Sequence, residues 1–231
     1  PGVLDPAYEL QTKMMDAVNE SLVDADVILY VVEIGEKRLK NEQVFERLQK
    51  TSTPIILLLN KIDTATPDRL NEAVEYWHEL LPKAEILPIS AKENVNVDLL
   101  INKIKAIIPE GPQYYPEDQL TDRSERFIVN EVIREKILLN YQKEIPYSVE
   151  VVTERFKEDL NLISIEAEIF VERDSQKGII IGHKGESLSK VGKEAREELE
   201  KFFDKKVFLK LFVKVRKDWR SKENDLRRFG Y

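Results

Sequence analysis

Three short groups of residues have the types and spacing to do chemistry. Asn60-Lys61-Ile62-Asp63 follows directly on the apolar run Ile55-Ile56-Leu57-Leu58-Leu59, and Ser90-Ala91-Lys92 follows the run from Glu85 to Ile89. Gly182-His183-Lys184-Gly185 follows Gly178-Ile179-Ile180-Ile181 and opens onto a charged amphipathic stretch. A carboxylate at Asp63 can accept two parallel hydrogen bonds from a ring N–H and an adjacent exocyclic amine, which is the edge guanine presents. Adenine puts an acceptor at the ring position and would leave the acid unpaired. The stem of Lys61 can cover one face of such a base, Asn60 can tie the two loops together, and the Ala91 N–H can meet the guanine carbonyl oxygen. The third group suits a different ligand. Two glycines around His183 and Lys184 allow a tight turn with no Cβ in the way, so backbone amides can approach a phosphodiester chain closely. Each group also has an ordinary reading, since Asn and Asp after a strand are common turn residues and G-x-x-G can be a glycine-capped loop between helices.

Elements of the right kind stand ready to position the first two groups. Leu10, Met14, Met15, Val18 and Leu22 recur at helical spacing, and Val27 to Val32 is a nearly continuous apolar run of strand length. A short helix from about Asn41 to Gln49, a strand from Ile55 to Leu59, a helix starting at Pro67, a strand from Glu85 to Ile89 and a helix from Val97 to Ile108 follow in turn. Strand and helix alternate, which predicts a parallel sheet with crossover helices, and ligands of such sheets sit at the carboxyl ends of the strands. Both motifs lie there. His78, beside Trp77, reads as a helix-surface residue.

Three prolines between Pro109 and Pro116 end this pattern and read as a linker. A long helix is expected from Thr121-Asp122 to about Tyr141, burying Phe127, Val129 or Asn130, Ile133, Ile137 and Leu138. Strands are expected over 148–156 and 162–172, then a short helix, the glycine turn, a helix carrying Leu188, Val191, Ala195 and Leu199, and a last strand over 207–217. In that strand Phe208, Lys210, Phe212, Lys214 and Arg216 share one face. Cations interleaved with aromatics suit phosphate neutralisation and base stacking, although lysines also guard edge strands. Arg220, Lys222, Arg227 and Arg228 extend the basic trend into a tail that either orders on RNA or is simply solvated.

The totals narrow the classes. The 231 residues carry 36 Lys and Arg against 43 Asp and Glu, for a net charge of −7, and 42% hydrophobic residues, enough for a core. Residues 1–120 hold 12 basic against 21 acidic, and residues 121–231 hold 24 against 22. From Lys201 onward the count is 11 against 4, which places positive charge near the glycine turn, as on a nucleic-acid face. Cysteine is absent, so no disulfide or thiolate chemistry is available, and a cytoplasmic setting is expected. Two histidines far apart in sequence, His78 and His183, give metal or triad chemistry little to build on.

The first half resembles the later part of a Ras-like GTPase of the translation-factor class, with Pro1-Gly2 similar to the end of that family's D-x-P-G switch motif. The second half has the element order of a type II KH module, in which the G-x-x-G loop clamps single-stranded RNA. Tyr114-Tyr115-Pro116-Glu117-Asp118, Glu144-Ile145-Pro146-Tyr147-Ser148-Val149, Ile180 to Gly185, Val213-Lys214-Val215 and Gly230-Tyr231 together resemble the Era GTPases from end to end. The resemblance implies an α/β fold: a partial, parallel-sheet P-loop GTPase domain over 1–112, a linker over 113–120, and an α+β KH domain over 121–231 with a basic tail. It implies a guanine site of Asn60, Lys61, Asp63, Ser90, Ala91 and Lys92. It also implies an RNA site of Ile179, Ile180, Gly182, His183, Lys184, Gly185, Lys210, Lys214, Arg216 and Arg220.

The function implied is that of an RNA-binding GTPase using GTP or GDP with Mg²⁺. It would assist small-subunit assembly by holding the 3′ end of the ribosomal RNA on the 30S subunit, with peripheral contact at the inner face of the cell membrane. The pattern departs from the family at its start. Without the G-x-x-x-x-G-K-[ST] loop and the switch residues, Gly2 is the only remnant of the catalytic apparatus. Val3 stands where some relatives carry a water-orienting glutamine, and no metal ligand set is expected. The residues given are therefore expected to bind RNA but neither to hold nucleotide tightly nor to hydrolyse GTP. An apolar sheet edge at Val27 to Val32 is expected to favour self-association. The competing readings are a GTP-independent RNA-binding protein whose first half is scaffold, and a self-associating structural fragment.

Overall fold

A computed structural model describes residues 2–37, 41–112, 115, 116, 119 and 121–231. The chain divides into two compact units, residues 1–114 and 115–231. Most of the expected linker over 113–120 lies outside the described residues.

In the first unit, α1 (Glu9–Ser21), β1 (Ile28–Glu33), α2 (Glu42–Lys50), β2 (Ile55–Asn60), α3 (Pro67–Leu80), β3 (Glu85–Pro88) and α4 (Val97–Ile107) follow one another. The three strands form a parallel sheet in the order β1-β2-β3. The unbroken run in β2 follows from its central place, because its side chains enter two cores. Leu57 and Leu59 pack with Met15, Val44, Leu48 and Trp77 on one face, and Ile56 and Leu58 pack with Leu87 and Leu100 on the other. Local signals set the helix starts. The Asn41 side chain accepts from the Val44 N–H at 3.1 Å, and Thr66 caps a helix that begins at Pro67. β1 forms one edge of this sheet, and Leu29 and Val31 on it remain 40% and 55% exposed. His78 is exposed on α3, as its spacing indicates.

The second unit runs α5 (Glu125–Asn140), β4 (Glu150–Glu158), β5 (Leu162–Val171), α6 (Asp174–Ile181), α7 (Glu186–Phe203) and β6 (Lys206–Val215). β4 pairs antiparallel with β5, and β5 pairs parallel with β6. The alternation in β5 divides the sheet. Ile163, Ile165, Ala167 and Ile169 are buried with Val129, Ile133 and Ile137 of α5 and Val191, Ala195 and Leu199 of α7, so the helices cover one face.

Two element boundaries and one buried face differ from those the sequence suggests. α5 starts later, because the Ser124 hydroxyl accepts from the Phe127 N–H at 3.3 Å and fixes the N-cap there. Phe127 and Leu138 are exposed, since the buried stripe of Val129, Ile133 and Ile137 keeps strict i, i+4 spacing and both lie off it. β4 begins at Glu150 because Ser148 is held in a turn, its N–H and hydroxyl both donating to the Ile145 carbonyl.

The tail differs most. It folds into a turn at Trp219–Ser221 and the helix α8 (Glu223–Phe229). Phe229 packs 5.1 Å from Phe170 and 5.4 Å from Trp219, centroid to centroid. This explains why Phe170, on the outer face by alternation, is nevertheless buried. Arg216 makes a bidentate pair with the buried Asp225, which holds that carboxyl below the usual range, and Arg228 pairs with Glu154 at 3.0 Å. Tyr231 donates to Glu150 at 2.8 Å, and Glu150 also pairs with Arg134 at 3.0 Å.

Candidate guanine-binding and RNA-binding sites

The structure brings the two loops of the first unit together. β2 ends at Asn60, and the chain turns at once through Lys61, whose φ of +66° lies in the left-handed region. The Asn60 Oδ1 accepts from the Lys61 N–H at 2.8 Å, which fixes that turn, and from the Ala91 N–H at 3.1 Å, which ties it to the loop after β3. Ser90 is fully buried, and its hydroxyl donates to Asp63 Oδ1 at 2.5 Å while accepting from the Glu93 N–H at 3.2 Å. Asp63 itself is exposed. One of its oxygens is thus anchored from behind, and a carboxylate retains acceptor capacity beyond that one bond.

Two details depart from the sequence reading. The Ala91 N–H, expected to meet a guanine carbonyl, donates to Asn60 in this structure, so a bound base would have to share or displace that bond. Lys61 Nζ lies 2.7 Å from Glu33 at the end of β1, a contact for which the sequence carries no signal. Lys92 is exposed and pairs with Glu93 at 3.4 Å. A cleft of about 900 Å³ in this unit is lined by Asp5, Asp16, Asn41, Glu42 and Tyr76 among others, and by neither motif. Gly2 is exposed, and Val3 packs against the larger core.

In the second unit the glycine turn joins α6 to α7. Gly182 has φ +72° and ψ −176°, a region open essentially to glycine alone, and Gly185 has φ +83°. A Cβ on Gly182 would lie 2.2 Å from Ser187 Oγ and 2.7 Å from its Cβ, so this glycine is fixed by space as well as by torsion. Lys184 adopts φ 48°, ψ 23°, and both His183 and Lys184 are exposed at the tip. Tyr141 donates to the Ile180 carbonyl at 2.7 Å and pins the end of α6; burial raises its phenol pKa and keeps the donor protonated. The turn thus presents backbone at the start of the 18-residue helix α7, where amide donors point outward.

The residues grouped with this turn do not all join it. Ile179 is half exposed beside it, but Ile180 is fully buried in the core, because α6 turns the two side chains to different sides. Lys210 and Lys214 lie on the sheet face away from the helices, among the outward residues of β6, whereas the turn belongs to the helical layer. They pair with Glu166 at 4.0 Å and with Glu168 respectively. Arg216 and Arg220 are engaged with Asp225 and Glu172, so both fasten the folded tail instead of forming part of a loose basic comb. No group of residues suited to hold a metal ion occurs among the described residues, and no described helix is long and apolar enough to cross a membrane.

Comparison with known proteins agrees with this division. The elongation factor Tu GTP-binding domain family matches residues 12–110, and the KH domain family matches residues 144–220. GTPase Era of Staphylococcus haemolyticus is 44% identical over 233 residues, covering all of this chain and 78% of that protein. Two solved structures match throughout. Era in complex with MgGDPNP and nucleotides 1506–1542 of 16S ribosomal RNA has a TM-score of 0.93 at 35% identity, covering all of this chain and 80% of that one. An Era variant from Aquifex aeolicus bound to GDP·AlF4⁻ has a TM-score of 0.92 at 34% identity, with the same coverage. With identity of this level along its full length and both family domains in the same order, the chain belongs to the Era family of GTPases.

Proposed function

We propose that this chain is an RNA-binding GTPase of the Era type, reading guanine with its first unit and clamping single-stranded RNA with its second. The observation that carries this reading is the junction of the two loops: Asn60 bonded to Ala91 and Asp63 to Ser90, with the Asp63 carboxylate exposed at the strand ends. Asp63 is the guanine-selecting acid, Asn60 the strut, Lys61 the cover over the base, and Ser90, Ala91 and Lys92 the second wall. In the second unit Gly182, His183, Lys184 and Gly185 take the RNA backbone, with the half-exposed Ile179 beside them.

These residues fit the base end of a guanine nucleotide. The 231 residues contain no G-x-x-x-x-G-K-[ST] run that would hold the phosphates and Mg²⁺. The nucleotide and Mg²⁺ belong to the reading through the family, as do the 3′ end of small-subunit ribosomal RNA as partner, assistance to 30S assembly and a cytoplasmic, ribosome-associated setting. The domain limits near residues 112 and 121 are proposed on the same ground; that the residues given bind RNA without hydrolysing GTP themselves is proposed on the absence of a G-x-x-x-x-G-K-[ST] run from them.

Two titrations test the reading. Guanosine monophosphate is expected to shift the backbone NMR signals of Asn60, Asp63 and Ala91, and adenosine monophosphate is not; equal shifts by both would remove the guanine assignment. Gly182→Asp with Gly185→Asp is expected to abolish binding of a four-nucleotide oligouridylate, and retained binding by a well-folded double variant would reject the clamp.

A further inference from the structure

The outer face of the second sheet carries a surface that the glycine turn does not explain. Alternation in β6 places Lys206, Phe208, Lys210, Phe212 and Lys214 outward, while Val207 and Val213 enter the core. The register sets Lys157, Ser164 and Phe208 in one row, Arg155, Glu166 and Lys210 in the next, and Val152, Glu168 and Phe212 in the third. Across these rows and Lys206 and Lys214 there are five cations and two anions. Phe208 and Phe212 are 49% and 47% exposed.

Farther along the same face Phe170 is covered by Phe229, with Arg228 5.7 Å over its ring. The chain therefore covers one outward aromatic with its own tail and leaves the other two half exposed. Guarding an edge strand accounts for the lysines but not for half-exposed phenylalanines between them, which work against a guard.

We propose that this open face is a second surface for single-stranded RNA, distinct from the glycine turn and resting on the RNA-binding reading above. Phe208 and Phe212 each stack one base, and Lys206, Lys210 and Lys214 meet phosphates. Outward neighbours on a strand stand about 6.8 Å apart and the two rings about 13.6 Å apart, so nucleotides lie between the stacked bases. Lys210 already lies 5.4 Å over the Phe208 ring, the cation-and-ring arrangement that an incoming base and phosphate extend. The 4.0 Å pair of Lys210 with Glu166 lies between part-exposed side chains and is weak enough to be exchanged for phosphate, while Lys214, itself 55% exposed, can meet a phosphate from its open side.

The test uses the full chain and two labelled probes followed by fluorescence anisotropy: a four-nucleotide oligouridylate that occupies only the glycine turn, and a twenty-nucleotide one that can reach the sheet. Phe208→Ala with Phe212→Ala is expected to weaken the long probe about tenfold or more and to leave the short one unchanged. The slope of log affinity against log salt should stay at the wild-type value in that variant. Lys210→Ala with Lys214→Ala should make the slope shallower by about 1.4. Phe212→Trp should keep the long-probe affinity and gain fluorescence that the long probe quenches. Unchanged long-probe affinity in the folded Phe208→Ala, Phe212→Ala variant overturns the proposal. So does loss of binding to phosphatidylserine vesicles in that variant with RNA affinity intact, which would assign the face to lipid. Failure of the clamp itself reads out separately, as short-probe binding that survives the two glycine substitutions.

Discussion

The two units build their candidate sites from opposite materials. In the first, the candidate site is made of side chains: an exposed carboxylate, a buried hydroxyl bonded to it, and an amide that braces the two loops. In the second, the candidate site is made of backbone, shaped by two glycines that let the chain turn. The first site should therefore respond to changes of functional group, and the second to changes of bulk.

The largest expected effect comes from adding one methyl to the backbone-built site. Gly182→Ala must move Ser187 or the loop, since its Cβ would stand 2.2 Å from Ser187 Oγ in a torsional region that costs on the order of 1–3 kcal/mol for a non-glycine residue. Affinity for a short oligouridylate is expected to fall by roughly a hundredfold. Lys184→Ala removes one exposed cation and should cost only a few-fold by the loss of one phosphate contact, roughly the order of a surface pair. Ser187→Gly should recover part of the binding lost in Gly182→Ala, because it removes the colliding atoms. If Lys184→Ala proves more damaging than Gly182→Ala, the turn works by charge and the contrast between the units collapses.

In the first unit the corresponding change leaves volume almost untouched. Asp63→Asn replaces an acceptor by a donor, so the guanine amine loses its partner while the 2-oxo group of xanthine gains one. Preference is expected to swing from guanosine towards xanthosine monophosphate by at least about a hundredfold, measured by the NMR titration above. Unchanged preference would remove Asp63 from the base edge. Ser90→Ala should have a smaller effect of the same kind. Losing the hydroxyl that bonds Asp63 and the Glu93 N–H costs about 1 kcal/mol, or roughly three- to tenfold in guanosine affinity.

The same contrast governs how much could be read from the sequence. The meeting of the two loops in the first unit was legible, because Asn60, Asp63 and Ser90 follow recognisable buried strands and the structure bonds Asn60 to Ala91 and Ser90 to Asp63. The strands were legible from short apolar runs bounded by turn residues, although the run that is buried on both faces in the central β2 leaves Leu29 and Val31 part-exposed in the edge strand β1. The glycine turn was legible as a turn, but its neighbours were not. Ile179 and Ile180 look equivalent in sequence, and only the phase of the short helix α6 exposes one and buries the other. Lys210 and Lys214 carried the right charge, but charge does not say which face of a unit it occupies. The tail was least legible, because Arg216 with Asp225, Arg220 with Glu172 and Tyr231 with Glu150 join residues from 9 to 81 positions apart. A run rich in arginine reads as a free polycation until its acids are found.

The folded tail supplies the smallest expected effect and a direct test of that last point. The Tyr231 phenol donates to Glu150 at 2.8 Å, and burial, with the Glu150 carboxylate beside it, pushes its pKa from 10.0 up to about 12. Deprotonation would set a phenolate against that carboxylate in a half-buried site. The folded pKa is therefore above the unfolded one, and the contribution of Tyr231 to stability is complete below about pH 10 and lost as pH rises through about 12. Tyr231→Phe keeps the ring but not the bond, and should cost about 1 kcal/mol at neutral pH, by urea unfolding followed through the buried Trp219. Because only the wild-type phenol titrates, the gap between the two proteins should hold steady to about pH 10 and narrow above it. A gap that stays constant through this window would mean that Tyr231 is not bonded to Glu150 in solution.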